Sequence, residues 1–164
     1  MAVSFRISGA GRFSHAKTAR FTFDGQAYSG IEGDTLASAL LANGQMLMGR
    51  SFKYHRPRGP ISSGVEEPNA LLGLGQGGRL EPNQRATTTE LFDGLTCTSQ
   101  NHWPSLEFDV GVVNNYAARF LTAGFYYKTF IHPRFAWKHV FEPIVRQSAG
   151  LGKVPKERDA DRYE

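Results

Sequence analysis

Cysteine is almost missing from this sequence. Among its 164 residues Cys97 is the one thiol, which excludes a disulfide framework within the chain and any multi-cysteine metal site. Cys97 follows Leu95-Thr96 with no base at a fixed spacing, so it reads as an inert, buried thiol and not as a nucleophile. His102, His132 and His139 are scattered and form neither an i, i+4 pair on a helix nor a cluster that would hold a metal. No run approaches the ~18–20 apolar residues of a membrane span. The opening Met1-Ala2-Val3-Ser4-Phe5-Arg6 has no continuous apolar stretch of signal-peptide length. The expected setting is intracellular, with the cytoplasm as the compartment and no membrane partner.

Charge of one sign is in short supply too. Nineteen Lys and Arg face fifteen Asp and Glu, a net charge of +4, and no nucleic-acid-binding motif accompanies that slight excess. What the chain has is glycine and aromatic rings: eighteen Gly, eight Pro, twelve Phe, six Tyr and two Trp. Turns and loops are therefore frequent, and the core has large side chains to bury. The length suits one domain, or one domain with an extension.

Residues 3–7 alternate apolar and polar and predict a short strand, and Gly9 to Lys17 a polar connection. Arg20-Phe21-Thr22-Phe23-Asp24-Gly25-Gln26-Ala27-Tyr28 is a hairpin signal, because Asp-Gly accepts the positive φ of a tight turn. Gly30 and Gly33 are expected to end it. Asp34 to Gly44 predicts a helix, with Asp34 as its N-cap, Leu36, Ala37, Leu40 and Leu41 on one face, and Gly44 closing it. A hairpin followed by a packed helix opens a ββαβ arrangement: a small mixed sheet over one helix, the β-grasp shape, in the α+β class.

The long loop Gly49 to Ala70 follows. Its first half is cationic and aromatic, its second half turns acidic, and Pro57, Gly59, Pro60 and Gly64 forbid a regular helix. Long charged loops in compact domains are often functional. Glu66 and Glu67 are expected to pair with Arg50, Lys53, Arg56 or Arg58, since adjacent carboxylates otherwise repel. Residues 69–74 predict a strand. Gly73 to Gly78 matches G-x-G-x-x-G by letter, but Pro82 arrives where a helix should begin and no carboxylate stands about 20 residues on, so it reads as a flexible turn. Arg85 to Leu91 is β-branched and predicts a strand pairing back into the sheet, and Asp93-Gly94 a turn. Thr96 to Trp103 is polar, and Leu106 to Val113 alternates only weakly.

Tyr116 to Phe125 has helical spacing. Tyr126 to Phe130 is densely aromatic, and the aromatic block from Phe120 to Trp137 reads as core or interface. Pro133 opens a further helix through about Ser148, with Phe135, Val140, Phe141, Ile144 and Val145 roughly on one face and a kink at Pro143. The expected domains are a β-grasp module over 1–100, a helical and aromatic extension over 101–152, and a charged linker over 153–164. These residues contain no self-contained catalytic set and no metal site.

Several runs carry a resemblance. Phe23-Asp24-Gly25, the stretch Gly33 to Gly44, the stretch Gly49 to Gly59 and Glu66-Glu67-Pro68-Asn69-Ala70-Leu71 resemble the N-terminal region of α subunits of the heterotetrameric sarcosine oxidase family. Glu81-Pro82-Asn83, Ser99-Gln100-Asn101, Trp103-Pro104-Ser105-Leu106, the stretch Ala123 to Phe130 and Ala149-Gly150-Leu151-Gly152 extend the likeness over nearly the whole chain. The resemblance implies an oxidoreductase assembly that demethylates sarcosine to glycine with hydrogen peroxide, passing the one-carbon unit to tetrahydrofolate or releasing formaldehyde. It implies FAD and covalent FMN on a β subunit, NAD on the α subunit and zinc on a small subunit. The implied partners are β, γ and δ subunits and the rest of the α chain.

Within that likeness the chain stops where a dinucleotide-binding fold is expected to begin. It is expected to be a fragment or a separately encoded piece, inactive alone, that serves assembly. A free-standing adaptor for an amine oxidase is the alternative. The resemblance extends to [2Fe-2S] ferredoxin-like domains whose relatives carry a cysteine-rich loop after a similar Pro-Arg-Gly. Here that loop reads Ile61-Ser62-Ser63-Gly64-Val65-Glu66-Glu67-Pro68-Asn69, without thiolates, so a scaffold without a cluster is expected. Because Arg and Lys recognise phosphate, Arg50, Lys53, Arg56 and Arg58 are the candidate cofactor-binding residues, set near NAD or at a subunit interface.

Overall fold

The tight turn at Asp24-Gly25 sets the first register. Both residues have positive φ, 50° and 79°, the twist that joins antiparallel strands without splaying them. β1 (Thr18–Phe23) and β2 (Gln26–Ile31) pair across it, Phe23 opposite Gln26 and Thr18 opposite Ile31. The sequence therefore placed the turn correctly, and β2 runs on through Gly30. The computed structural model describes residues 5–7, 17–128, 130, 132–148, 155 and 157–159. The expected strand over 3–7 falls partly outside them, and 5–7 form no strand, though the Phe5 N–H donates to the Ala42 carbonyl at 2.8 Å. The expected connection over 9–17 and most of the expected linker over 153–164 lie outside the described residues.

α1 (Leu36–Ala42) is shorter at its start than the pattern implies. Thr35 is the N-cap, its hydroxyl accepting from the Ser38 N–H at 3.2 Å. Asp34 lies one residue earlier and accepts from the Ile31 N–H and the Ser38 hydroxyl, while Arg6 pairs with it. Gly44 closes the helix at φ 80°. Leu36, Ala37, Ala39 and Leu40 are buried, whereas Leu41 is exposed: the buried stripe runs through Ala39, which lets the helix lie close on the sheet.

β5 (Leu71–Leu74), β6 (Glu81–Arg85) and β7 (Leu95–Thr98) complete a five-stranded sheet of order β2-β1-β7-β5-β6. β7 runs parallel to β1 and antiparallel to β5, so the sheet is mixed. Together with α1 it forms the ferredoxin-like β-grasp architecture. Alternation on β1 buries Ala19, Phe21 and Phe23, and on β7 Leu95 and Cys97. These pack with Leu36, Leu40, Met48, Leu72 and Leu91 in one core. β3 (Gly49–Arg50) and β4 (Pro57–Arg58) form a separate two-stranded ribbon at the base of the long loop.

Two further expectations fail, and one strand has no expectation behind it. The strand predicted over 85–91 lies earlier, over 81–85, because β6 is an edge strand and Pro82 needs no inward N–H there. Residues 86–89 form a turn instead: the hydroxyls of Thr88 and Thr89 donate to the Arg85 carbonyl, local bonds that compete with a ladder. The carbonyls of Ala86 and Thr89 then receive the Ala37 and Leu36 N–H groups at the start of α1. β7, at the centre of the sheet, has no counterpart in the sequence reading, because Leu-Thr-Cys-Thr carries a weak pattern. Finally, 116–125 is not a helix. Its bonds from Tyr116, Ala117, Ala118 and Phe120 reach back three residues, the spacing of 3₁₀-type turns, and a 3₁₀ helix precedes it at Val110–Asn115.

The last helical run, after α2 (Phe125–Lys128), is expected from Pro133 and begins there as α3 (Arg134–Ala136). It continues as a π-helical turn (Trp137–Phe141) into α4 (Glu142–Ser148). The Glu142 N–H bonds back to the Trp137 carbonyl, a five-residue step. That widened turn precedes Pro143, whose ring and missing N–H would break a regular ladder.

Gly30 on β2 is packed closely under Leu91 and α1. A Cβ there would stand 2.4 Å from the Leu91 side chain and 3.0 Å from the Ala39 Cβ. Gly30→Ala is expected to lower stability by about 1–3 kcal/mol, the usual cost of overpacking a filled core. Urea denaturation checks it, and an unchanged midpoint would contradict the contact.

Candidate functional site

The charged loop divides into two halves with different anchors. The cationic half faces the segment after β7. Arg50 is a clamp: its guanidinium donates to the Leu106 carbonyl at 2.8 and 3.0 Å, to Glu107 O at 3.2 Å and to His55 O at 3.2 Å. Lys53 Nζ donates to Thr122 O at 2.9 Å and lies 4.7 and 5.0 Å from the ring centres of Tyr54 and Phe125. The Tyr54 hydroxyl donates to the Leu121 carbonyl. Arg56 stacks on Tyr54 at 4.7 Å and donates to the Asn115 side chain at 3.3 Å. These cation–π contacts use the negative face of the ring quadrupole. Arg58 turns the other way and donates to Asn69 Oδ1 at 2.7 Å.

His55 and Asp109 tie the same two segments more deeply. His55 Nδ1 lies 2.7 Å from Asp109 Oδ2, while Asp109 Oδ1 accepts from the N–H groups of Trp103 and Gly111, both at 3.0 Å. Burial alone pushes the Asp109 carboxyl up, but the two N–H groups and His55 outweigh it and hold the group below its usual range. A Cβ on Gly111 would stand 2.2 Å from the imidazole, so glycine is what admits the ring.

The acidic half closes on itself. Glu67 is fully buried, 0% exposed. Its Oε2 accepts from the Ile61 and Ser62 N–H groups, both at 2.7 Å, and from the Ser62 hydroxyl at 3.1 Å. Its Oε1 accepts from the Asn69 and Ala70 N–H groups at 2.6 and 3.2 Å. Burial raises this carboxyl, yet the N–H groups of Ser62, Asn69, Ile61 and Ala70 more than reverse that and bring it to about 2. Glu66 points outward and accepts from the Gly64 N–H at 3.2 Å. The expected ion pairs with Arg50, Lys53, Arg56 or Arg58 do not form. Backbone N–H groups reach a buried carboxylate without burying a second charge, which ion pairing would require.

A further polar group sits beside β1 and β7. Ser99 Oγ lies 2.6 Å from Asp24 Oδ2 and 2.7 Å from His102 Nε2. The serine stands between acid and imidazole, whereas activating a serine nucleophile needs the histidine between. Asp24 and His102, but not Ser99, line a cleft of about 390 Å³ together with Phe23, Tyr28, Gln45 and Glu107 among others. An apolar cleft of about 340 Å³ lies between Phe52, Lys53, Leu121, Phe125, Phe130 and Phe141. The fingerprint-like glycines 73–78 begin in β5 and pass through the turn at Gly75, φ 73°, into a 3₁₀ turn at Gly77–Arg79, so no dinucleotide helix begins there.

The family described as 2Fe-2S iron-sulfur cluster binding domain matches residues 16–102, just over half of the chain. The chain belongs to that family. It is also similar to proteins named sarcosine oxidase subunit alpha, with 56% identity over 161 residues to that of Rhizobium meliloti (strain 1021), covering 98% of this chain and 16% of the relative. The counterpart from Corynebacterium sp. (strain U-96) is 44% identical over 90 residues, 53% of this chain and 9% of its own length. The chain thus spans about one sixth of the length of the first of these relatives. Among solved structures, the L-proline dehydrogenase from P. horikoshii aligns over 54% of this chain and 16% of its own, at 25% identity and a TM-score of 0.42.

The residues present do not fit the cluster that the family description names. A [2Fe-2S] centre is held by four thiolate ligands, or by histidines in their place. The chain has one cysteine. Cys97 is fully buried on β7, its thiol donates to the Thr22 carbonyl at 3.1 Å, and burial pushes it up to about 12. That is the inert thiol expected from the sequence. Among the described residues no three His, Cys, Asp or Glu side chains gather to hold a metal, and no helix is long and apolar enough to cross a membrane.

Sequence reasoning marked the loop but not its internal bonding. Part of the Glu67 site is local: a carboxylate followed by Pro-Asn-Ala can fold back on the N–H groups two and three residues on. The remaining donors, Ile61 and Ser62, reach it only once Gly64 has turned the loop. His55–Asp109 and Asp24–Ser99–His102 join residues 54 and 75 positions apart, and no spacing rule signals them.

The pH dependence follows from these carboxylates. Glu67 has its folded value at about 2 against an ordinary 4.5, and Asp109 is lowered in the same sense. Such groups bind protons more readily in the unfolded chain. For Glu67 the stabilisation is complete above about pH 4.5 and is lost as pH falls toward about 2, and Asp109 acts in the same direction. Melting temperature is expected to decline through that window, and Glu67→Gln to flatten the decline. A variant with the wild-type slope would refute the assignment.

Proposed function

We propose that this chain is the N-terminal, non-catalytic part of a sarcosine oxidase α subunit and that it serves assembly. The observation that carries the reading is the 56% identity to the Rhizobium meliloti protein across 98% of the chain. In this reading the complete assembly demethylates sarcosine to glycine, with hydrogen peroxide and formaldehyde or methylene-tetrahydrofolate as the other products. FAD, FMN, NAD, tetrahydrofolate and zinc belong to that whole, and its β, γ and δ subunits and the rest of the α chain are the partners. Residues 1–100 are the β-grasp module, 101–152 an extension laid against it, and 153–164 the lead into a nucleotide-binding domain.

The surface supports such a role. Trp103, Phe108, Tyr116 and Phe120 are 69, 70, 89 and 70% exposed, an unusual number of exposed large rings on one stretch of chain, and exposed apolar surface is a mark of association sites. Phe108, Tyr116 and Phe120 lie on the segment that Arg50, Lys53 and Arg56 hold against the loop, and Trp103 just before it. The four basic residues themselves, Arg50, Lys53, Arg56 and Arg58, are proposed to stand near NAD or at a subunit interface. Arg56 is exposed and Arg50, Lys53 and Arg58 are half-buried, and a guanidinium fork suits phosphate or carboxylate.

Changing Arg56 and Arg58 together to Ala in the complete assembly tests this. The expected result is a roughly tenfold weaker retention of NAD or of a partner subunit, the ~1.4 kcal/mol scale of one charge-assisted contact. Cofactor content and co-purification are measured. Unchanged values for both would sink the proposed role of this loop.

A further inference from the structure

Five donors converge on one carboxylate in the loop between β4 and β5: the N–H groups of Ile61, Ser62, Asn69 and Ala70 and the Ser62 hydroxyl. Successive backbone N–H groups aimed at one point form an anion-binding concavity, and such concavities serve phosphates and iron–sulfur centres alike. A cluster ligated by four thiolates is itself an anion. The chain belongs to a cluster-binding family, yet its own residues cannot ligate a cluster. The centre of the concavity holds a side chain instead.

We propose that Glu67 stands where a cluster-binding domain would hold its anion, so that an N–H concavity within the matched region is filled by a carboxylate from the same chain. The site is then an anion site of small-monocarboxylate size, closed internally. The geometry agrees. Neither carboxylate oxygen meets a cation; each meets backbone donors, which bind an anion of any chemistry. The outer side of the loop is fixed separately, by Thr87 Oγ1 donating to Gly64 O at 2.8 Å and by Arg58 on Asn69. The concavity therefore has supports that do not pass through Glu67. This assignment depends on family membership and loop geometry and is independent of the sarcosine oxidase reading.

The test is chemical rescue in the complete protein, with any partner subunits retained. Amide hydrogen exchange of the peptide spanning residues 60–71 is read for wild type, Glu67→Ala and Glu67→Gln, with sodium formate or with sodium chloride at the same ionic strength. Glu67→Ala is expected to exchange at least tenfold faster in this peptide, and formate, but not chloride, to restore protection by entering the vacated space. Glu67→Gln keeps the volume but turns an NH₂ toward N–H donors, so it is expected to lose protection and gain nothing from formate. Wild-type protection in Glu67→Ala, or a folded Glu67→Ala whose loss formate leaves untouched, overturns the proposal. If Glu67→Ala does not fold, Glu67→Gln decides: local loss of protection supports the proposal, and wild-type protection overturns it.

Discussion

The parallel pairing of Phe21–Phe23 with Leu95–Cys97 is the constraint from which the rest of the molecule follows. Parallel neighbours cannot be joined by a tight turn; the chain must leave one end of the sheet and return to the other. Here the return runs from residue 23 to residue 95 and includes β2, α1, the ribbon β3–β4, the charged loop, and β5 and β6. Every feature with chemical content, Glu67 and His55 included, lies on that crossover or is held by a residue just beyond β7. Cys97 sits at the pairing itself, and its complete burial follows from the central position of β7.

Much of this order was legible in advance, and the failures share a cause. The hairpin was readable because Asp24-Gly25 must take positive φ, and α1 because an apolar stripe coincides with a closing glycine. The β-branched run 86–89 misled because threonine hydroxyls can satisfy the backbone locally, and here they do, on the Arg85 carbonyl. The spacing of Tyr116 and Phe120 suggested a helix, yet both rings are exposed and have no core to draw that stripe inward. Local pattern predicts an element well when a core face exists to reward it. The loop was identifiable as special from charge and proline, but its partners were not: a buried carboxylate satisfied by backbone has no sequence signature beyond the Pro-Asn-Ala that follows it.

The cationic half of the loop has a mechanical part in the structure as it stands. Arg50, Lys53, Tyr54 and Arg56 reach carbonyls, an amide side chain and ring faces on residues 106–125. The carbonyl and amide contacts, with Lys53 over the Phe125 ring, fix a segment with little regular structure of its own; Arg56 on Tyr54 braces the loop itself. The pair His55–Asp109 fastens it at a point where Gly111 leaves no room for a side chain. Basic residues that look solvated in the sequence thus act first as struts, and the surface they support is aromatic.

A loop centred on Glu67 is complete when the ribosome releases the chain. Its five donors and the carboxylate they meet all belong to residues 61–70 of one chain. The order of the whole stretch is thus written in its own ten residues, and a change at Glu67 acts on all of them at once.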